Sequence, residues 1–353
     1  MKTANKDYYY NIDTDIIMYP HNWAYIICGG RNTGKTYGTL KSCYLNDRMF
    51  TFIKRTMDDV DLICAGGKNN DYFDLSPFKA INRDLDINVE ARLIRKGIGG
   101  FYDGDKLIGY IVALSGVTKF KGFDLSDKEW MIFDEFIPRE WERISRQEGE
   151  QVLDLYKTIA RDREHRGRDP LRLIALANAT ELSNPLFNVL EITDVVAEMD
   201  RKGLYITEQE ERGILIHLLN DNEEFRKQEE KSMIYKAMAG TKWLAMSLEN
   251  KFAYNDTSNV EKKNMKNFRP LYRFHYKNVW SYVYYNEEKG YYVTKSKAGK
   301  KIPSYDLSLD NDYRRFYLDQ VLDLQEACIN DHVKFDSYMI YDLIINYRKH
   351  FRL

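Results

Sequence analysis

Two patterns of apolar and polar positions divide this chain. In the first 219 residues, short strand-like segments recur between charged or turn-forming stretches: Trp23–Cys28, Trp130–Phe133, Leu171–Ala177 and Gly213–Leu219 are largely apolar, and Thr51–Arg55 is a second short strand that ends in two basic residues. Runs of this length predict strands buried on both faces. Between them, Glu150–Ala160 (EQVLDLYKTIA) places apolar side chains at helical spacing. Asp103-Gly104, set between short apolar runs in RLIRKGIGGFYDGDKLIGYIVALSG, predicts a hairpin. Strands interleaved with helices predict a mainly parallel α/β sheet covered on both faces.

The pattern changes near Asn220. NDNEEFRKQEEKSMIYKAMAGTKW is charged and helical in spacing, which suits a small helical linker over 220–256. From about Phe268 the chain turns aromatic and strand-like, and it closes with two helical patterns, Asp312–Asn330 and His332–Arg352. The expected organisation is an α/β domain over 1–219, the linker, and a second α/β domain over 257–353. No internal repeat or low-complexity segment interrupts it.

Directly after the first strand stands GGRNTGKT, Gly29–Thr36. This is the G-x-x-x-x-G-K-[ST] pattern of a phosphate-binding loop, with a helix expected behind it. Gly29, Gly30, Arg31, Asn32, Thr33 and Gly34 would turn backbone N–H groups towards phosphate oxygens. Lys35 would reach the β- and γ-phosphates, and Thr36 would place its hydroxyl on Mg²⁺. ATP is the expected substrate and Mg²⁺ the expected cofactor.

A second acidic strand end completes such a site. WMIFDEF ends an apolar strand in Asp134, a candidate to hold Mg²⁺, and Glu135, a candidate to activate the attacking water. The adjacent glutamate favours hydrolysis over transfer to another acceptor. LRLIALANAT ends in Asn178 and Thr180, which would touch the γ-phosphate or bond their own loop. Arg31, Arg161, Arg163 and Arg166 are candidates to stabilise the transferred phosphoryl group; the last three equally suit a solvated helix end.

Composition narrows the partners. The 353 residues carry a net charge of −1, so any nucleic-acid contact is expected from local basic patches rather than from the whole surface. The four cysteines lack metal-ligand spacing, and no apolar run has the length of a membrane span or marks a signal peptide. The 27 tyrosines are many, and no single physical reason accounts for them.

Taken in order, these pieces resemble the DNA-packaging ATPases of small tailed podoviruses of the phi-twenty-nine type. The likeness runs through GGRNTGKT with its internal Arg31, FIKR, FYDGDKLIGYIVALS, MIFDEFI, ARDRE, LANA and NPLF, and weakly through MSLEN into the tail. It implies a homo-oligomeric ring that hydrolyses ATP to drive double-stranded DNA through the portal, or connector, of an empty capsid. A packaging RNA sits between ring and portal in that family, and the motor works in the host cytoplasm, docked on the procapsid. The resemblance assigns Lys35, Thr36, Asp134 and Glu135 to the nucleotide site and Arg161 to a finger acting on a neighbour, with Arg163 as competitor. It assigns Lys121 to a DNA-gripping loop; Lys119, Lys54 and Arg55 complete the basic set expected on DNA.

The resemblance also implies a ribonuclease-H-like second domain that lacks the nuclease's metal-binding acids. LYRFHYKNVWSYVYY agrees, because it carries no Asp or Glu. Lys295, Lys297, Lys300, Lys301, Arg348, Lys349 and Arg352 make a DNA-tracking surface there plausible. Two alternatives stand beside the motor: a terminase that also cuts DNA, and a nucleotide switch without nucleic acid. GVTKFKGFD, with Lys119 and Lys121, argues against the switch.

Overall fold

The buried apolar runs become the middle of a nine-stranded sheet. A computed structural model describes residues 9–66, 75–116, 127–138, 142, 144–145, 147–179, 181–219, 227, 230–241, 244, 252, 257–277, 279–297, 301–351 and 353. The strands of the first sheet are β1 (Ala24–Gly29), β2 (Phe50–Lys54), β3 (Val89–Arg95), β4 (Ile98–Asp103), β5 (Lys106–Ala113), β6 (Trp130–Asp134), β7 (Arg172–Ala177), β8 (Ile206–Gln209) and β9 (Ile214–Leu219). Their order is β3-β4-β5-β2-β6-β7-β1-β9-β8. From β5 to β9 every neighbouring pair is parallel, while β3, β4 and β8 add antiparallel edges. All six residues of β1 are buried, as a strand flanked on both sides and covered on both faces requires.

This order decides where chemistry can occur. The acidic strand β6 is not next to β1; β7 lies between them. The carboxyl ends of β2, β6, β7 and β1 therefore open side by side along one edge of the sheet. In open parallel sheets, ligands bind just outside such strand ends.

The hairpin expected at Asp103-Gly104 joins β4 to β5, with Gly104 at φ +61°. A further strand, β3, precedes it through a turn at Gly97. Helix α1 (Ile12–Met18), capped by the Asn11 side chain on Asp13 N, also lies beyond the sequence expectation. It is tied to the sheet by a buried polar set, in which Asp15 accepts a 2.7 Å bond from Tyr10 Oη and lies 2.8 Å from Nδ1 of His217 on β9. No described helix is long and apolar enough to cross a membrane.

The chain divides into two compact units, Met1–Leu190 with Met199–Tyr254, and Glu191–Glu198 with Asn255–Leu353. The second unit holds a five-stranded mixed sheet of β10 (Arg269–Tyr276), β11 (Val279–Asn286), β12 (Gly290–Thr294), β13 (Ser304–Asp306) and β14 (Val333–Phe335), in the order β13-β10-β11-β12-β14. Strands β10, β11 and β12 are antiparallel, and β13 and β14 pair parallel to β10 and β12 at the two edges. Part of its core is aromatic: Phe316 packs against Phe274, Tyr305 and Tyr272 at ring separations of 4.9, 5.0 and 6.1 Å. The run 310–329 is helical with a π-turn at Tyr317–Val321. The pattern expected to be a single helix over 332–352 instead gives β14 and two helices, Tyr338–Ile345 and Tyr347–His350. Asp194 anchors this end, accepting from Ser337 Oγ, Met339 N and Lys295 Nζ.

Candidate functional site

The loop Gly29–Thr36 curls between β1 and helix α2 (Lys35–Leu45) because two of its residues take left-handed backbone conformations, Asn32 at φ +61° and Gly34 at φ +81°. Gly34 is the N-cap of α2, so the unpaired N–H groups at the head of that helix face the loop. The segment at Tyr9–Tyr10 grips the loop from outside: Tyr10 N donates to Thr33 O at 2.9 Å. The Tyr10 carbonyl fills the space where a Cβ on Gly38 would stand, only 2.1 Å away, so position 38 requires glycine.

Inside the curl, Lys35 Nζ donates to the carbonyls of Gly29 and Gly30 at 3.1 and 2.7 Å and lies 3.1 Å from Thr33 Oγ1. It also reaches Asn178 Oδ1 at the end of β7, at 3.3 Å. Burial pulls its pKa down to about 8, partly offset by Cys28, Asp134 and Glu135. Thr36 Oγ1 donates to Asp134 Oδ1 at 2.7 Å, so the head of α2 meets the end of β6 across the intervening strand. Lys54, at the end of β2, lies between the two acids, 3.2 Å from Asp134 Oδ2 and 3.1 Å from Glu135 Oε2. Burial alone would lower the Lys54 pKa, but the two carboxylates outweigh it and the net shift is upward. Glu135 adopts φ +57°, a conformation that non-glycine residues seldom hold without a reason.

These residues line a cavity of roughly 320 Å³, bounded by Arg31, Lys35, Thr36, Asp134, Glu135 and Asn178 among others. Arg31 contributes a buried Nε with no hydrogen-bond partner. A cavity with two basic side chains, a helix head and an orphaned guanidinium nitrogen suits a polyanion. The hydroxyl–carboxylate pair Thr36–Asp134 is an oxygen donor set suited to a hard divalent cation. Asn178 thus faces the cavity; Thr180 lies outside the described residues.

Behind the acids, Arg55 makes a bidentate pair with Glu148, Nε to Oε2 at 2.8 Å and Nη2 to Oε1 at 3.1 Å. Its Nη2 also reaches the carbonyls of Glu135 and Phe136, each at 3.1 Å. Glu148 opens helix α5 (Glu148–Ala160), and Arg161 closes it as an exposed C-cap at φ +46°. Arg163 is buried, with Nε donating to Asp169 O at 2.6 Å and Nη1 to the Lys128 carbonyl. Arg163 therefore holds its own loop and does not reach outward. Arg166 pairs with Asp162 at 2.7 Å.

Two expectations need correction. Lys54 and Arg55, placed on the DNA surface from sequence, point inward and are engaged by acids and carbonyls of the site. Strand β2 runs parallel beside β6, which brings Lys54 against Asp134 and Glu135 and Arg55 against the Phe136 carbonyl. A basic residue closing an apolar strand, in a chain with an acidic strand end of the same kind, was the available signal. Lys119 and Lys121 lie outside the described residues. In the second unit, Lys295 pairs with Asp194 at 2.8 Å, while Lys300 and Arg352 also lie outside the described residues.

Comparisons with known proteins bear on the family and the fold. The profile of the family described as Podovirus DNA encapsidation protein (Gp16) matches residues 4–346. A DNA packaging protein of Bacillus phage B103 is 25% identical over 329 residues, spanning 89% of this chain and 92% of the relative. Among solved structures, the phi-29 viral genome packaging motor assembly superposes with a TM-score of 0.64 at 19% identity, covering 97% of this chain and 99% of that one. The phi-28 gp11 DNA packaging motor gives 0.60 at 17% identity, covering 97% and 96%. At these identities the two structures speak for the fold, and the family match speaks for descent: this chain belongs to the podovirus DNA encapsidation (Gp16) family.

Proposed function

We propose that this protein is an ATP-hydrolysing motor subunit that works in a homo-oligomeric ring and drives double-stranded DNA into a viral capsid. The observation that carries the reading is the Thr36–Asp134 contact across β7, with Lys35 on one side and Glu135 on the other. A phosphate loop facing an acidic strand end suits ATP hydrolysis, in which the loop holds the phosphates and the acids hold Mg²⁺ and the attacking water. The second unit is read as a ribonuclease-H-like domain without a nuclease site, and the portal and a packaging RNA as further partners. Lys119 and Lys121 are proposed DNA contacts.

In this mechanism Lys35 exchanges its loop carbonyls for β- and γ-phosphate oxygens, and Arg31 turns its buried Nε to the same anion. Thr36 and Asp134 would hold Mg²⁺, which neutralises phosphate charge when bound. Glu135 orients a water on the γ-phosphorus and accepts its proton as the bond to the ADP oxygen breaks. Lys54, paired with both carboxylates, holds them in place. Arg161 offers a guanidinium to the nucleotide of an adjacent subunit.

The direct test is ATP turnover with and without long duplex DNA, paired with a sizing measurement. Turnover should rise with DNA of any sequence, and the rise should fade with salt as phosphate contacts are screened. A protein that hydrolyses ATP at one rate with or without DNA, and stays monomeric, would be a nucleotide switch instead.

Lys35 supplies a second check, through pH. Its pKa of about 8 belongs to the protein without nucleotide, where burial disfavours the charge. A phosphate against Nζ restores the charge, so binding above that pH takes up a proton. Nucleotide affinity should therefore be flat below about pH 8 and fall above it, by up to about tenfold per pH unit. Titration with a fluorescent nucleotide between neutral and alkaline pH reads this. Lys35→Ala should bind weakly and lose the alkaline slope; an unchanged slope would assign the proton elsewhere.

A further inference from the structure

Helix α5 joins the two ends of the proposed machine. Its first residue, Glu148, is buried against Arg55, and its C-cap is Arg161. Thirteen residues separate the ends, a rigid rod of about 20 Å. At the Glu148 end the contacts lead straight to the catalytic strand. Arg55 holds Glu148 bidentately and the carbonyls of Glu135 and Phe136 with the same guanidinium. Asn184 Nδ2 donates to the Phe136 carbonyl as well, at 3.1 Å, and its Oδ1 caps the next helix on Leu186 N. The neighbouring Gly149 sits so close to the Pro185 carbonyl that a Cβ there would stand 2.3 Å from the oxygen. The start of α5 is thus fastened on two sides, by the Arg55 clasp on Glu148 and by the close approach of Gly149 to the Pro185 carbonyl.

We propose that the Arg55–Glu148 clasp is a positioning device for the trans-acting arginine: it registers α5 on the Glu135–Phe136 backbone, so that each subunit's own catalytic strand sets where its Arg161 stands for the neighbour. The proposal rests on the reading of Arg161 as a finger. Glu148 and Arg55 are positioning residues here, acting through the helix and touching no reacting atom. The links to Glu148 and Phe136 are short polar contacts to buried residues. A guanidinium bonded to Glu148 and to two carbonyls, with the exposed Glu142 carboxylate 3.4 Å from its Nη1, cannot shift from one of them without straining the others.

The consequence is directional. A subunit with a loosened clasp should fail as a donor of the finger while remaining a competent acceptor in its own site. Glu148→Gln loosens it with little change of shape, leaving Arg55 on the Glu135 and Phe136 carbonyls. A ring made only of this variant should turn over ATP about tenfold more slowly or worse, the loss of one charge-assisted contact, and still bind nucleotide normally. Mixed rings then separate the roles. Glu148→Gln with Lys35→Ala should regain activity, because an intact finger meets an intact site at some interfaces. Glu148→Gln with Arg161→Ala should not, because both are defective donors. Recovery in the second mixture, failure in the first, or loss of nucleotide binding by Glu148→Gln would each overturn the proposal. The mixture of Arg161→Ala with Lys35→Ala is the control. If it stays inactive despite confirmed subunit exchange, the finger itself is misassigned and the clasp proposal falls with it; if it recovers, the first two mixtures judge the clasp alone.

Discussion

Glu135→Gln is expected to bind nucleotide as the natural protein does and to hydrolyse it about 10²–10⁴ times more slowly. The substitution keeps the length and shape of the side chain and removes only its ability to take a proton. Thr36, Asp134 and Lys35 hold their contacts without it: the 2.7 Å bond of Thr36 to Asp134 and the bonds of Lys35 to the loop carbonyls do not involve position 135. Lys54 loses one of its two carboxylates but keeps Asp134 at 3.2 Å, so the β2 end stays docked. The left-handed backbone at Glu135 is as accessible to Gln as to Glu, so the fold carries no new strain. Single-turnover hydrolysis measured alongside binding of a fluorescent nucleotide separates the two effects. A Gln variant with near-normal turnover would move the water-activating role to another side chain; one that fails to bind would mean that position 135 shapes the cavity rather than the reaction.

The parts of this site that could be read in the sequence are those whose chemistry is local. The order GGRNTGKT announces a loop because its glycines, lysine and threonine form a recognisable pattern within eight residues. Strands β1, β6, β7 and β9 were legible to within a residue because a parallel strand covered on both faces is mostly apolar along its length. Strand β3 was not, since VEARLIR sits at an edge and carries charges on its open side. Helix α1 has seven residues, too few to announce itself by periodicity, and its place depends on His217 some two hundred positions away. Strand β14 is three residues long and was absorbed into a helical pattern.

The same division explains the basic residues. That Lys54 and Arg55 are charged, at a strand end, is local information. That their partners are Asp134, Glu135 and Glu148 depends on β2 lying beside β6, and strand order is set by the whole sheet rather than by any segment. Arg163 shows the converse. Its sequence surroundings match those of Arg161, yet the turn after α5 folds it inward onto the Lys128 and Asp169 carbonyls.

That difference makes the Arg161 experiment sharp. On the proposed reading, Arg161→Ala should lower ATP turnover by about 10³–10⁵, the range that fingers supplied across subunits contribute. The residue caps α5 with its N–H on Lys157 O at 3.0 Å, a backbone bond that Ala keeps. Its φ of +46° is no worse for Ala than for Arg, so a change in stability cannot account for such a loss. The decisive arm mixes Arg161→Ala with Lys35→Ala, each inactive alone. Where a Lys35→Ala subunit presents its arginine to the intact loop of an Arg161→Ala neighbour, a complete site exists, and part of the activity should return. If the arginine served its own subunit, no mixture could contain a complete site. Failure to recover, with subunit exchange shown independently, would remove Arg161 from the role. Arg163 could not then take its place without first leaving the Lys128 and Asp169 carbonyls that hold it inward, so the search would turn to another exposed arginine.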